Sequence, residues 1–276
     1  MANLAVMVNG LPGNMGQEVA RAVLRRGWTL VPWALTGEIV KEDSMELDGM
    51  EIGFLKPRDR DARIGEILMA NPGLIAVDYT HPDAVNANAE FYVRHKIPFV
   101  MGTTGGDRAK LQELLASAGL ACVVAPNMAK QIVGFQAMVD WASREFPDLF
   151  AGWKLQVRES HQKGKADTSG TAKAVVASMA RWGLDASVEK IEKIREENAQ
   201  MEFGVPETAL KGHAFHTYSI DSADGSVHFE FRHNVCGRRI YAEGTCDAVA
   251  FLEGKLHSGE NRLFTMFDVL REGRMG

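Results

Sequence analysis

The chain predicts an α/β fold: an N-terminal Rossmann-type parallel sheet layered with helices, then a C-terminal α+β domain of mixed sheet. Three observations carry that expectation. Short apolar runs alternate with helix-length segments through the first half. A glycine-rich turn joins the first run to the first helix. Beyond Pro126 the pattern changes to a long helix followed by strands of alternating polarity.

The elements follow in order. Leu4–Val8 is a continuous apolar run ending near Gly10, the pattern of a parallel strand buried on both faces. Met15, Val19 and Val23 recur at helical spacing until Arg25-Arg26-Gly27 closes the helix. Thr29–Leu35 is expected as a second strand, followed by a polar stretch through Gly49–Phe54 and a helix over Arg60–Ala70. Leu74–Tyr79, Pro98–Met101 and Leu120–Ala125 read as three further strands, separated by helices over Pro82–His95 and Asp107–Ala118. Strands interleaved with helices of this length imply crossover connections and a parallel sheet.

A helix over Ala129–Phe146 and a strand over Trp153–Glu159 open the second part. Val227–Val235 alternates, Cys236-Gly237 turns, and Arg238–Gly244 is expected to run back as its hairpin partner. Helices over Thr245–Leu256 and Leu263–Leu270 are expected to return to the first domain. The expected division is therefore residues 1–128 plus 246–276 for dinucleotide binding, and 129–245 for substrate binding and oligomerisation.

Composition limits the function classes. A chain of 276 residues, 46% hydrophobic and 24% charged, suits one large or two modest globular domains. A net charge of −5 lacks the basic footprint of a general nucleic-acid binder. Cys122, Cys236 and Cys246 are odd in number and lack CxxC spacing, which indicates neither a disulfide framework nor a zinc knuckle and fits a reducing compartment. No apolar run approaches the roughly 20 residues of a membrane span. The expected setting is the cytoplasm, or an organelle such as the plastid stroma for a mature form.

Gly10-Leu11-Pro12-Gly13-Asn14-Met15-Gly16 lies between a strand and a helix, the context a dinucleotide fingerprint requires. Gly10 suits the tight turn, Gly13 lets backbone approach a pyrophosphate, and Gly16 lets helix pack on strand. The spacing is GxxGxxG, and the alternative is a structural turn without ligand. The second strand ends at Thr36-Gly37 with no carboxylate at its tip, which favours NADPH at least as much as NADH. Asp78-Tyr79-Thr80 and Gly102-Thr103-Thr104-Gly105-Gly106 follow later strands, where cofactor-facing loops belong; flexible turns are the plainer alternative.

The densest chemistry lies in Glu159–Ala172. His161 can titrate near neutral pH, and Lys163 and Lys165 precede a Ser169-Gly170-Thr171 helix opening. A helix N-terminus presents unpaired N–H groups and favours anions. The segment reads as a carboxylate seat with a proton donor beside it, although Asp167, Thr168 or Ser169 also serve as plain caps. His213 with His216, or His228 with His233, raise the question of metal. No cysteine or carboxylate cluster accompanies them in sequence, and none is expected.

Taken together, the turn at Gly10–Gly16, Asp78-Tyr79-Thr80, Gly102–Gly105, Ala125-Pro126-Asn127-Met128, the Glu159–Thr171 block, and Arg232-His233-Asn234 with Gly237-Arg238 resemble the 4-hydroxy-tetrahydrodipicolinate (dihydrodipicolinate) reductase family. The resemblance spans nearly the whole chain. It implies NAD(P)H-dependent reduction of a cyclic imine dicarboxylate in the diaminopimelate route to lysine, and a homo-oligomer, dimer or tetramer. By position it implies His161 as proton donor and Lys165 as catalytic lysine. It places Gln162, Lys165, Ser169, Gly170 and Thr171 on the substrate. Gly10, Gly13, Asn14, Met15, Gly16, Thr36, Asp78, Tyr79, Thr80, Gly102, Thr103, Thr104, Ala125 and Asn127 fall to the cofactor. Gln162 stands where a second histidine is usual, and Asp167-Thr168-Ser169 is one residue shorter than the common Asp-x-Pro-Ser, features that look like the plant and cyanobacterial branch. Two other readings stay open: a related dehydrogenase of another small carboxylate, and an NADPH-binding redox sensor without turnover.

Overall fold

The computed structural model describes residues 4–165 and 167–272. The chain forms two compact units, residues 1–130 with 239–276, and residues 131–238.

The first unit begins with β1 (Ala5–Asn9), α1 (Asn14–Arg25), β2 (Thr29–Leu30), β3 (Trp33–Leu35), β4 (Ser44–Leu47) and β5 (Met50–Leu55). It continues through α2 (Arg60–Ala70), β6 (Ile75–Asp78), α3 (Val85–Arg94), β7 (Phe99–Met101), α4 (Arg108–Ser117) and β8 (Cys122–Val124). The second unit holds α5 (Lys130–Glu145), β9 (Lys154–His161), α6 (Gly170–Ala180), β10 (Glu192–Ile194), α7 (Glu197–Glu202), β11 (His213–Asp221) and β12 (His228–Cys236). The chain then re-enters the first unit with α8 (Arg239–Ser258), β13 (Leu263–Phe264) and α9 (Met266–Arg271).

The main sheet runs β13-β8-β7-β6-β1-β2, every neighbouring pair parallel. Its middle strands are apolar throughout because both faces are covered: Val6, Val8, Ile75, Val77 and Val100 are at most 1% exposed. Chain order reverses beside β1, with β2 on one side and β6 on the other. Such a switch point opens a crevice at the carboxyl ends of the strands.

The expected strand over Thr29–Leu35 is two strands. Pro32 has no N–H to continue the ladder, so β2 stays on the main sheet and β3 joins a separate sheet ordered β3-β5-β4. The stretch expected to be merely polar contains an antiparallel β4–β5 hairpin, turned by Asp48 (φ 51°) and Gly49 (φ 84°). Asp-Gly is a favoured pair for such a turn.

The second unit is a mixed four-stranded sheet, β10-β9-β11-β12, with β10 parallel to β9 and the other pairs antiparallel. Its core gathers Val157, Val175, Met179, Trp182, Tyr218 and Ile220. The expected return strand at Arg238–Gly244 is corrected: β12 pairs with β11, and Arg239 starts the long helix α8. Ala242, Cys246 and Val249 are fully buried at helical spacing, so packing overrides the strand-like look of Ile240-Tyr241. Re-entry thus begins ahead of the expected residue 246. Gly244 meets the Met128 carbonyl so closely that a Cβ there would overlap it. Leu263–Phe264 is an edge strand rather than helix, and a Thr265–Asp268 capping box starts α9.

Candidate active site

In the first unit, β1 runs straight into the glycine turn. Gly10 has φ +98°, and a Cβ there would overlap the Tyr79 carbonyl. A Cβ on Gly13 would stand 2.7 Å from Gly10 O, which itself accepts from Gly13 N at 2.9 Å. A Cβ on Gly16 would meet Leu11 at 3.2 Å. The first two positions admit glycine alone and the third is tight. Gly13 caps α1 without any side-chain bond, so the first N–H groups of the helix stay open to an anion, with Asn14 and Met15 in its opening turn. These residues fit a dinucleotide pyrophosphate.

The neighbouring loops are held by one buried carboxylate. Asp78 Oδ1 accepts from Thr80 N (3.1 Å), Thr80 Oγ1 (2.8 Å) and Thr103 Oγ1 (2.7 Å), and Oδ2 accepts from Asn88 Nδ2 (2.9 Å) and Tyr92 Oη (2.7 Å). Asp78 is 0% exposed. It is therefore an organiser of the Thr80 and Thr103 loops and does not itself face a ligand. Burial, then the nearby Asp78 charge, pushes the Tyr92 hydroxyl well above its usual range, so Tyr92 remains a donor.

Thr36 is likewise committed, donating to Leu11 O at 3.0 Å from a buried position, and supports the glycine turn from below. Tyr79 bonds Thr245 Oγ1 at 2.7 Å, and its ring lies where a Gly102 side chain would be. Thr104 is the exposed hydroxyl of its loop. Ala125 is buried, its N–H bonded to Met101 O, and Asn127 Oδ1 accepts from Ala129 N at 2.8 Å.

In the second unit, β9 ends at His161, which is 7% exposed with Nε2 buried and unpartnered. Burial first, then the Lys165 and Arg195 charges and His213, pushes its imidazole down to about 3. The expectation of a ring titrating near neutrality is corrected: in the free protein it is neutral. Lys165 bends back through its N–H to Gln162 O (2.9 Å) and places Nζ 2.8 Å from Asp167 Oδ1. Ser169 caps α6, yet its side chain makes no capping bond, and Gly170 has open space at its Cβ position. Thr171 follows in the first turn of α6, and a helix N-terminus favours an anion. Gln162 is half-buried, and Lys163 is exposed, 3.6 Å from Glu196.

Several members of this cluster escaped the sequence reading. Strand alternation puts Glu159 and His161 on one face of β9, and register adds His216 from β11 and His233 from β12. The rings are 5.1 Å apart for His161–His216 and 4.6 Å for the stacked His216–His233 pair. Burial depresses His216 well below its usual range and His233 to about 4. Arg195 donates to Glu159 Oε1 (2.5 Å), to Glu159 O (3.3 Å) and to Lys165 O (2.7 Å). Gln200 Nε2 donates to His161 O at 2.7 Å. Donor atoms of Glu159, His161 and His216 lie within 4.8 Å of one another, so a carboxylate does accompany the histidines, contrary to the linear pattern. That carboxylate is engaged by Arg195 and by Ser169 N (3.0 Å), which makes the group an ion-pair network.

Family profiles described as dihydrodipicolinate reductase, N-terminus and C-terminus, match residues 4–128 and 132–270. The chain belongs to the dihydrodipicolinate reductase family. It is 46% identical over 274 residues to 4-hydroxy-tetrahydrodipicolinate reductase 2, chloroplastic, of Arabidopsis thaliana, covering 99% of this chain and 78% of the relative. The Nostoc sp. 4-hydroxy-tetrahydrodipicolinate reductase is 30% identical, with 90% and 92% covered. In fold the chain resembles a dipicolinate-bound dihydrodipicolinate reductase from Paenisporosarcina sp. TG-14, with TM-score 0.64, 19% identity, and 95% and 97% of the two chains covered.

Proposed function

We propose that this protein is an NAD(P)H-dependent oxidoreductase that reduces 4-hydroxy-tetrahydrodipicolinate to tetrahydrodipicolinate, in the diaminopimelate route to lysine. The observation that carries the reading is the assembly of His161, Lys165 and the α6 N-terminus, in a chain whose family membership spans both units.

The nicotinamide cofactor supplies the hydride. Gly10, Gly13 and Gly16 with the α1 N-terminus hold its pyrophosphate; Thr80, Gly102, Thr103, Thr104, Ala125 and Asn127 border its reactive end. Because no carboxylate ends β3, NADPH is accepted at least as well as NADH. Lys165, Ser169 and Thr171 meet the substrate carboxylates through charge-assisted bonds, with Gln162 as a neutral contact. His161 supplies the proton to the carbon beside the hydride acceptor. Its low proton affinity when free makes that step substrate-dependent: the arriving dianion raises the affinity, and the acid becomes charged only when needed. By reciprocity the dicarboxylate binds more tightly as pH falls.

Exposed Met138, Trp141, Phe146 and Leu149 support a homo-oligomer, dimer or tetramer, which sedimentation measures. The described residues contain no helix long and apolar enough to cross a membrane, and we place the protein in the cytoplasm or plastid stroma. The deciding experiment couples the protein to dihydrodipicolinate synthase and follows the reduced-nicotinamide absorbance. Substrate-dependent loss, inhibited by pyridine-2,6-dicarboxylate, is expected; binding of NADPH without any loss would leave the sensor reading instead.

A further inference from the structure

Resting on the reading of His161 and Lys165 above, we propose that Glu159 and Arg195 are positioning residues that lock Lys165 and the α6 opening against the end of β9. The pair is built for this. Glu159 is 0% exposed, and its two oxygens take different partners: Oε1 holds Arg195 at 2.5 Å, Oε2 holds the Ser169 N–H at 3.0 Å. The guanidinium spans the other side. Its Nε fixes the Lys165 carbonyl at 2.7 Å while Nη1 reaches Glu159 O at 3.3 Å and Ile194 O at 3.2 Å. One carboxylate and one planar fork thus tie β9, the residue after β10, the backbone of Lys165 and the cap of α6. Lysine has no fork with which to make these bonds together.

The same pair governs the charge around His161. That ring faces Glu159 on its own strand and His216 on β11, with the His213 backbone beside it and His233 beyond on β12. Lys165 and Arg195 supply the cations, and Lys193 on β10 lies opposite Glu159 in register. Glu159 and Arg195 neutralise one another here, so removing either leaves a buried net charge beside the imidazole. Glu159→Gln leaves the Arg195 charge unbalanced beside the ring, added to that of Lys165, and makes it harder to protonate. Arg195→Met leaves the anion and makes it easier.

The test is NMR titration of the His161 ring in histidine-labelled protein saturated with pyridine-2,6-dicarboxylate, whose charge raises the midpoint into the range where the fold is stable. The ring is assigned with His161→Asn, and the affinity for that inhibitor is measured alongside. The expected result is a His161 midpoint displaced by about one pH unit downward in Glu159→Gln and upward in Arg195→Met. Inhibitor affinity weakens about tenfold to hundredfold in both. Arg195→Lys restores the midpoint but not the affinity. The double variant Glu159→Gln/Arg195→Met, which buries no unpaired charge and so is expected to fold, has a near-normal midpoint and weak binding. Displacement in the same direction in both single variants, or inhibitor affinity unchanged in Arg195→Lys and the double variant, overturns the proposal. None of these readouts needs turnover. A wild-type protein that consumes no NADPH in the coupled assay defeats the functional reading separately.

Discussion

The glycine turn of the first unit and the histidine row of the second treat their buried polar groups in opposite ways. Around the glycine turn, Asp78 has a donor on every side, and Asn9, Thr36, Asn88, Tyr92 and Thr103 are each bonded. On the His161 face of the second sheet, His161 Nε2, both ring nitrogens of His216 and His233, and the Tyr218 hydroxyl are buried without partners. A site that offers backbone shape is best made rigid, and full satisfaction of its polar groups does that. A site that must gain charge when its ligand arrives retains unmet bonding capacity instead. Stability is spent there for responsiveness.

The contrast breaks most sharply at the proposed proton donor. His161→Ala is expected to lower kcat about 10²–10⁴-fold with little change in KM for the dicarboxylate; Lys165→Ala is expected to raise KM as well, both read in the coupled assay. If both variants keep normal kinetics, the reactive face lies elsewhere. Next in size, Gly10→Ala forces an L side chain to φ +98° against the Tyr79 carbonyl. Loss of the NADPH-induced rise in Tm is the expected sign, whereas Gly16→Ala, with its nearest neighbour a flexible leucine, retains part of it.

Asp78→Asn sharpens the comparison from the rigid side. It replaces an acceptor-only group with one that brings donors of its own into a ring of donors. A loss of about 1.5–3 kcal/mol in denaturant unfolding is expected, with weaker NADPH binding because the Thr80 and Thr103 loops share that carboxylate. The responsive side has a pH signature. His161 and His233 are depressed to about 3 and 4, and His216 also falls, all chiefly by burial. Below about pH 6.5 the unfolded chain binds protons that the native state refuses, so stability present above that pH is lost as it falls toward 4. Each such ring contributes about 1.4 kcal/mol per pH unit, and saturating pyridine-2,6-dicarboxylate is expected to soften the slope. The smallest effect belongs to Lys163→Ala. Its ammonium is exposed and its partner Glu196 is 3.6 Å away, so Tm and KM are expected to stay close to wild type.

Much of this was legible before any coordinates. The parallel sheet was, because each buried strand is a short apolar run between helix-period segments. So was the glycine turn, where Gly13 and Gly16 answer to Gly10 and Leu11 within the same βα unit, although the Tyr79 carbonyl against Gly10 comes from a later loop. The α6 opening could be read for the same reason, since a cap and the residues ahead of it are neighbours in sequence. What stayed hidden is non-local. Arg195 comes 36 residues after its partner Glu159, and nothing in its flanking residues marks it as more than a surface charge. The row of His161, His216 and His233 exists only through strand register. Asp78 was found at the right loop, but whether a carboxylate faces a ligand or five donors is decided by tertiary packing. The β4–β5 hairpin did carry a local sign, Asp48-Gly49, that polar composition masked.

The chain leaves the first unit after Lys130 and re-enters at Arg239, and Met128 and Gly244, just inside those two points, touch. Lys130 is further tied to Asp247 on α8 at 2.5 Å. Residues 131–238 are thus, in topological terms, an insertion into a nucleotide fold whose two cut ends already meet. Excising them and bridging the gap with a short flexible linker should yield a miniature protein that still captures NADPH, and the inserted piece offers a natural cassette for grafting other substrate chemistries onto the same hydride-delivering base.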